Sequence, residues 1–387
     1  MIEKSLKSLF EKIYELPPDV ISSSPGRINI IGEHTDYNQG YVLPAAVNLR
    51  IYFLASIRDD EKVLLWAENF KKKDSFSLES FTLSEENRWA DYIRGIYWVL
   101  GRERFPLKGV NALIWGNIPL EAGLSSSAAL EISIINSLDR LFRLNLTSEK
   151  KAFLAQKAEN DFVGVKCGIM DQFISLLGQK DKALFLDCET LSYEFIPLNF
   201  TEANVCILVY DSRVSRSLAS SEYNKRRQEA AEALQFLKKR GHKSFKEVDF
   251  LTQEEMRKGL NEVIYRRAKH VINENMRVKK AVQALREDDF SLLGELLFLS
   301  HESLRDDYEV SCPELDLLYE TGKDFTGCLG ARLTGAGFGG SGIALVKKES
   351  AELFRKKAIE NAEKKGFNMP EIYEIEVGEG AKVKTLK

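Results

Sequence analysis

Hydrophobic positions recur along this chain at two spacings, and each spacing predicts a type of element. Leu6, Leu9, Phe10 and Ile13 share one helical face, so Met1 to Leu16 reads as an amphipathic helix. Pro17-Pro18 ends it. Leu130, Ile134, Leu138, Leu141 and Phe142 form a stripe that predicts a helix over Ser125 to Phe142, and Ser148 to Phe162 predicts the next. A further helix is expected at Asp91 to Leu100. Segments rich in Val, Ile and Tyr predict strands at Ile28–Ile31, Ala46–Ile57, Val110–Ile118, Ala183–Cys188, Asn204–Tyr210, Ile343–Val346 and Tyr373–Val377. Asn38-Gln39-Gly40 is the expected turn between the first two. From about Ser220 to Ser303 the pattern is mostly helical and charge-rich. Gly327 to Val346 reads as a glycine-rich loop running into a strand.

Helices and strands mix without strict alternation, which predicts an α+β fold rather than a doubly wound parallel sheet. The chain has 387 residues, long enough for two or three domains and for a core that needs no metal or disulfide. The expected boundary lies near 180–190, giving an N-terminal domain over 1–185 and a C-terminal domain over 186–387.

Charge narrows the class. Lys and Arg total 55 against 58 Asp and Glu, a net of −3, so neither nucleic acid nor a membrane surface is the expected partner. No apolar run approaches the roughly 20 residues of a bilayer span. The first residues lack a secretory apolar core, and the expected location is the cytoplasm. Five scattered cysteines with no CxxC pair, and four dispersed histidines, predict no structural zinc site. There is no GxSxG elbow, Walker A loop or protein-kinase signature.

Five segments carry candidate chemistry. In Pro25-Gly26-Arg27-Ile28-Asn29-Ile30-Ile31-Gly32-Glu33-His34-Thr35-Asp36-Tyr37, a strand leads into clustered acceptors and donors suited to a polyhydroxylated ligand. The same residues could instead form a polar turn that caps its own backbone, or Glu33, His34 and Asp36 could hold a metal. In Gly116 to Leu130, small residues and Ser125-Ser126-Ser127 open a strong helix, an arrangement that favours an anion such as phosphate. The plainer alternative is a serine N-cap. Glu159 shares a helix face with Ala152, Ala155 and Phe162, so it needs a buried cation or a salt bridge. Asp171 sits alone among apolar neighbours in Cys167 to Leu177, as a functional carboxylate or a helix cap. Seven glycines between Gly327 and Gly342 let backbone approach something closely, or simply make turns.

Together, in this order, these segments resemble the GHMP family of small-molecule kinases, and Gly26 to Asn38 resembles the signature of its galactose-phosphorylating branch. The resemblance spans nearly the whole chain. It implies a two-domain α+β fold with the active site in the interdomain cleft, and MgATP-dependent phosphorylation of the C1 hydroxyl of galactose. It further implies Asp171 and Arg27 as catalytic, and Glu33, His34, Thr35, Asp36, Gly168 and Tyr223 as sugar-binding. Glu121, Ala122, Gly123, Leu124, Ser125, Ser126 and Ser127 match its ATP phosphate loop, although Glu121 stands where that loop usually has glycine. Trp89 and Tyr92 resemble residues flanking the adenine, and Ser127 and Glu159 match the magnesium ligands. Thr334 to Gly340 matches the third motif, near the phosphates. The expected ligands are thus galactose, ATP and Mg2+, and the expected state is a monomer. A related sugar, or a sugar- and ATP-sensing role without catalysis, are the competing expectations.

Overall fold

The computed structural model describes residues 2–119, 122–214 and 219–386. In chain order the first half holds α1 (Ile2–Tyr14), β1 (Val20–Asn29), β2 (Tyr41–Val42), β3 (Pro44–Ile57), β4 (Lys62–Ala67), β5 (Lys72–Ser77), α2 (Arg88–Arg102), β6 (Val110–Gly116), α3 (Ser126–Phe142), α4 (Ser148–Ala158), α5 (Met170–Leu177), β7 (Lys182–Asp187) and β8 (Tyr193–Pro197). The second half holds β9 (Val205–Asp211), α6 (Ala219–Lys238), α7 (Phe250–Gly259), α8 (Glu262–Arg286), α9 (Phe290–Asp306), α10 (Pro313–Lys323), β10 (Cys328–Thr334), β11 (Ser341–Lys347), α11 (Ala351–Lys365), β12 (Glu371–Ile375) and β13 (Lys382–Thr385).

Among the described residues the strands form three sheets, ordered β13-β1-β3-β6-β4-β5, β10-β11-β9-β12 and β2-β7-β8. The central strands of the first are covered on both faces. Along β3, Phe53 and Ala55 pack with Ile93, Ile134 and Leu138 of α2 and α3, while Leu54 points the other way onto Leu6 and Phe10 of α1. The two-residue period of a strand thus turns one apolar run into two cores. The fold is α+β, as expected.

Several elements differ from expectation. The first strand runs back to Val20, through Ser22-Ser23-Ser24-Pro25, and all ten of its residues are buried. Pairing with β3 and β13 satisfies that backbone on both sides, which a composition of serines cannot announce. Ile30 and Ile31 lie beyond it. The Cys328–Thr334 stretch, read as loop, is a strand paired with β11. Gly330 is required there because a Cβ would meet the Gly294 carbonyl oxygen of α9 at 2.4 Å. The helix from Ser148 stops at Ala158 and continues as a π-helical turn, Glu159–Val163. The division at 185/186 falls inside β7, and β13 returns from the end of the chain to pair with β1.

Candidate active site

The register of β1 shifts between Pro25 and Arg27, and this bulge aims Arg27. Gly26 is needed at the bulge: a Cβ would lie 2.5 Å from the Leu124 carbonyl oxygen. The Arg27 amide donates to that same oxygen at 3.0 Å. The serine loop therefore rests directly on the strand that carries Arg27.

Asp171 is the second residue of α5, and its carboxylate does not cap that helix. It accepts from Arg27 Nε and Nη2, each at 2.8 Å, in a bidentate pair. Ser125 Oγ donates to it as well. Arg27 Nη1 donates to the Gly123 carbonyl at 2.7 Å. The Asp171 side chain keeps 23% of its surface exposed against 6% for Arg27, so the carboxylate remains reachable. The pair stands in the wall of a cavity of about 610 Å³.

On one side of this pair lies the start of α3. Ser125 sits at φ +55° and makes no side-chain cap, because its hydroxyl is turned to Asp171. Among the described residues no side chain caps the first-turn N–H groups of α3, at the positive end of a 17-residue helix. Gly123, Ser125, Ser126 and Ser127 line the cavity. Ala122 and Leu124 are buried in the core, and their side chains anchor the loop instead of lining it. Ser341 Oγ, at the start of β11 and one residue past the third motif, donates to the Ala122 carbonyl and braces this loop. Glu121 lies outside the described residues. A second cavity of about 150 Å³ shares Tyr92, Ser126 and Ser127 with the first. Its walls are apolar, from Ile51, Ile114, Ile118 and Leu130, and Trp89 stacks with Phe70 beside it, ring centroids 6.4 Å apart.

Glu159 faces the same cavity from the π-helical turn. Gln172 Nε2 donates to its Oε2 at 2.9 Å and Cys167 Sγ at 3.2 Å, and Ser127 hydrogen-bonds it too. No lysine or arginine among the described residues pairs with it, so the salt-bridge alternative is not what the fold built. Burial, with Asp171 nearby, pushes the Glu159 carboxyl up to about 7. Gln172 also reaches Glu131 Oε2 at 3.1 Å, and burial beside Glu159 pushes Glu131 well above the usual carboxylate range. Buried, mutually repelling carboxylates next to a serine hydroxyl suit a cation.

Glu33, His34 and Asp36 line the same cavity as the Arg27–Asp171 pair. Glu33 is locked by partners far along the chain. Its Oε1 accepts from the Gly335 amide at 2.7 Å and Thr334 Oγ1 at 3.0 Å, and its Oε2 from Asn29 Nδ2 at 3.0 Å. A carboxylate engaged this way is not a free metal ligand, which removes that alternative for the trio. His34, at φ +62°, has Nδ1 2.7 Å from the Tyr37 hydroxyl. Burial drives its pKa down to about 3, so the ring is neutral. Burial raises Asp36 to about 7, helped by Asp171 and Glu33. Gly168 packs on it so closely that a Cβ would lie 1.9 Å from Asp36 Oδ2.

Thr35, expected at the sugar, does not line the cavity. Its hydroxyl lies 2.8 Å from the Gly32 carbonyl and 2.7 Å from that of Tyr41, fully buried and away from the cavity lining. It holds the turn, as the self-capping alternative required, while its neighbours face the cavity. Tyr223 of α6 closes the wall, 5.7 Å from the His34 ring and 5.4 Å from Tyr37. Sequence reasoning missed Tyr37 and Tyr308, whose hydroxyls meet at 3.0 Å. Tyr37 follows the acids in the same segment and could have been included. Tyr308 carries no local signal.

The galactokinase galactose-binding signature matches residues 8–57, the GHMP kinase N-terminal domain residues 91–179, and the GHMP kinase C-terminal domain residues 281–364. Galactokinase from Thermotoga neapolitana is 47% identical over 92% of this chain and 98% of its own length. Galactokinase from Thermococcus kodakarensis is 44% identical over 93% and 99%. The crystal structure of Lactococcus lactis galactokinase complexed with galactose matches with a TM-score of 0.93 at 39% identity, covering 99% of this chain and 100% of that one. Mevalonate kinase from Methanococcus jannaschii, at 19% identity and a TM-score of 0.64, shares the fold. The chain belongs to the galactokinase family of GHMP small-molecule kinases.

Proposed function

We propose that the cleft transfers the γ-phosphoryl group of ATP to the C1 hydroxyl of D-galactose, giving galactose 1-phosphate and ADP. One observation carries this reading: a single cavity is lined by the bidentate Arg27–Asp171 pair, a helix N-terminus and a cluster of acceptors. The helix terminus suits phosphate, and Glu33, His34 and Asp36 suit sugar hydroxyls, which donate to carboxylates and can pair with a neutral imidazole. The apolar slot beside Trp89 and Tyr92 takes the adenine.

The residues divide the reaction as follows. Backbone N–H groups of α3 orient the phosphates, and Arg27 offsets charge on the transferring group. Asp171 accepts a hydrogen bond from the C1 hydroxyl and aligns its oxygen with the γ-phosphorus. The C1 oxygen bonds to that phosphorus as the bond to the β–γ bridging oxygen breaks, and the C1 proton passes to Asp171. A carboxylate is a weak base toward a sugar hydroxyl, and phosphoryl transfer is usually loose, so orientation comes first and the proton moves late. Ser127 and Glu159 fit Mg2+, which takes few protein oxygens and completes its shell with phosphate and water. Bound there, the ion would neutralise charge on the β- and γ-oxygens.

The reading also takes the enzyme to be a cytoplasmic monomer. No helix among the described residues is long and apolar enough to cross a membrane. ADP release with MgATP, measured across galactose, 2-deoxygalactose, N-acetylgalactosamine, glucose, arabinose and no sugar, tests the proposal. Release confined to galactose and its 2-deoxy analogue supports it. A folded chain that binds galactose and ATP yet turns over no sugar would be a sensor instead.

A further inference from the structure

Helix α8 passes behind the sugar-facing loop, and the face it turns there is partly polar. His270, Val271, Glu274, Asn275 and Val278 recur every three or four residues and share that face. His270 and Glu274 are fully buried and Asn275 nearly so. Polar groups at such depth are costly unless each meets a partner.

Each finds one on the backbone of the loop. Glu274 Oε1 accepts from the Gly32 amide at 3.0 Å. His270 Nε2 is 3.1 Å from the Glu33 carbonyl oxygen, which can only accept, so that nitrogen carries the proton. Asn275 Oδ1 accepts from the Tyr41 amide at 2.7 Å. The far ends of the same side chains are tied to the helices. Ser303 Oγ lies 2.9 Å from His270 Nδ1. Ser300 Oγ and Arg277 Nε donate to Glu274 at 2.7 and 2.6 Å, and Asn275 Nδ2 donates to the Val271 carbonyl at 2.9 Å. The Tyr308 ring stands between the two imidazoles, 4.6 Å from His270 and 4.8 Å from His34.

The loop needs such support. Gly32 sits at φ +104° and His34 at φ +62°, and a left-handed histidine persists only where its surroundings impose it. Between them Glu33 presents its carboxylate. None of His270, Glu274 and Asn275 lines the cavity. We propose that they are positioning residues: a polar stripe on α8 that holds the Gly32–Tyr41 backbone in the shape presenting Glu33, His34 and Asp36, so that sugar affinity is set from behind the site. This rests on the reading of those three as the sugar-facing groups.

His270→Phe keeps a ring and removes both nitrogens, while His270→Gln restores an N–H toward the Glu33 carbonyl. The expected result in His270→Phe is a galactose KM raised at least about tenfold with the ATP KM changed less than about twofold, because displacement of only one binding half is involved. The melting shift produced by saturating galactose shrinks while that produced by ATP stays, and His270→Gln recovers most of both. A folded His270→Phe enzyme with an unchanged galactose KM, or with both KM values raised alike, overturns the proposal. If that variant does not fold, Glu274→Gln and Ser303→Ala decide, and a galactose KM unchanged in both is equally fatal. The melting shift needs no turnover, so a wild-type chain stabilised by galactose that releases no ADP counts against the proposed function and leaves this test standing.

Discussion

The two halves of the cleft are built on different length scales. The side proposed for the phosphates is nearly contiguous in sequence: Gly123 to Ser127 turn into α3, and the proposed donors are the first N–H groups of that helix. The side proposed for the sugar is held from afar. Glu33 is fixed by Thr334 and Gly335, some 300 residues later, and its backbone by His270, 237 residues later. An anion needs only a helix terminus and its dipole. A particular pattern of hydroxyls needs acceptors that do not move, and rigidity of that kind comes from independent elements converging on one loop.

Asp171 joins both halves through Arg27, Ser125 and the cavity, so breaking it has the largest effect. Asp171→Asn is expected to lower kcat by at least about 10²-fold, the scale of general-base contributions, with both substrates still bound. A near-normal kcat would remove Asp171 from the chemistry. Next comes steric damage confined to the sugar side. Gly168→Ala drives a methyl into Asp36 and is expected to cost about 10²-fold in kcat/KM for galactose, as ångström-scale misplacement does. ATP affinity, followed by calorimetry, should hold; a parallel loss would show that the halves are not separable.

Damage confined to the phosphate side is smaller. Glu159→Gln should raise the Mg2+ concentration for half-maximal rate by at least about tenfold, with galactose KM unaffected. An unchanged Mg2+ titration would reassign the ion. The mildest probe is pH. Burial beside Asp171 and Glu33 lifts Asp36 to about 7, so the folded chain holds this proton more tightly than the unfolded one. Its contribution to stability is complete below the ordinary carboxylate range and is lost as pH climbs to about 7. Sugar binding runs the other way, because hydroxyls donate to the ionised carboxylate. Galactose KM should fall by up to about tenfold between pH 6 and pH 8, and Asp36→Asn should flatten the profile. An equally steep profile in that variant would assign the titration to another group.

What could be read from the sequence follows the same division. The α3 stripe, the serines before it and the isolated acids Glu159 and Asp171 are local patterns, and local patterns report which face of an element is buried. Ser125, Ser126, Ser127, Glu159 and Asp171, all singled out by such patterns, line one cavity. The helical face containing Glu159 was legible, but the change to a π-helical turn at that residue was not.

By itself, the sequence determined the α+β class, the helices that build the phosphate side and the residues available for chemistry. Only the tertiary structure decided that Ser22 to Pro25 form a buried strand, that Cys328 to Thr334 do too, and that the last strand returns to the first sheet. It also decided that Thr35 holds a turn while Asp36 faces the cavity, and that Tyr308, His270 and Glu274 stand behind them. The physical reason is that hydrophobic period records how a residue sits relative to its own element. Partners more than 200 positions away leave no trace in that period, because their contact exists only once both elements are packed.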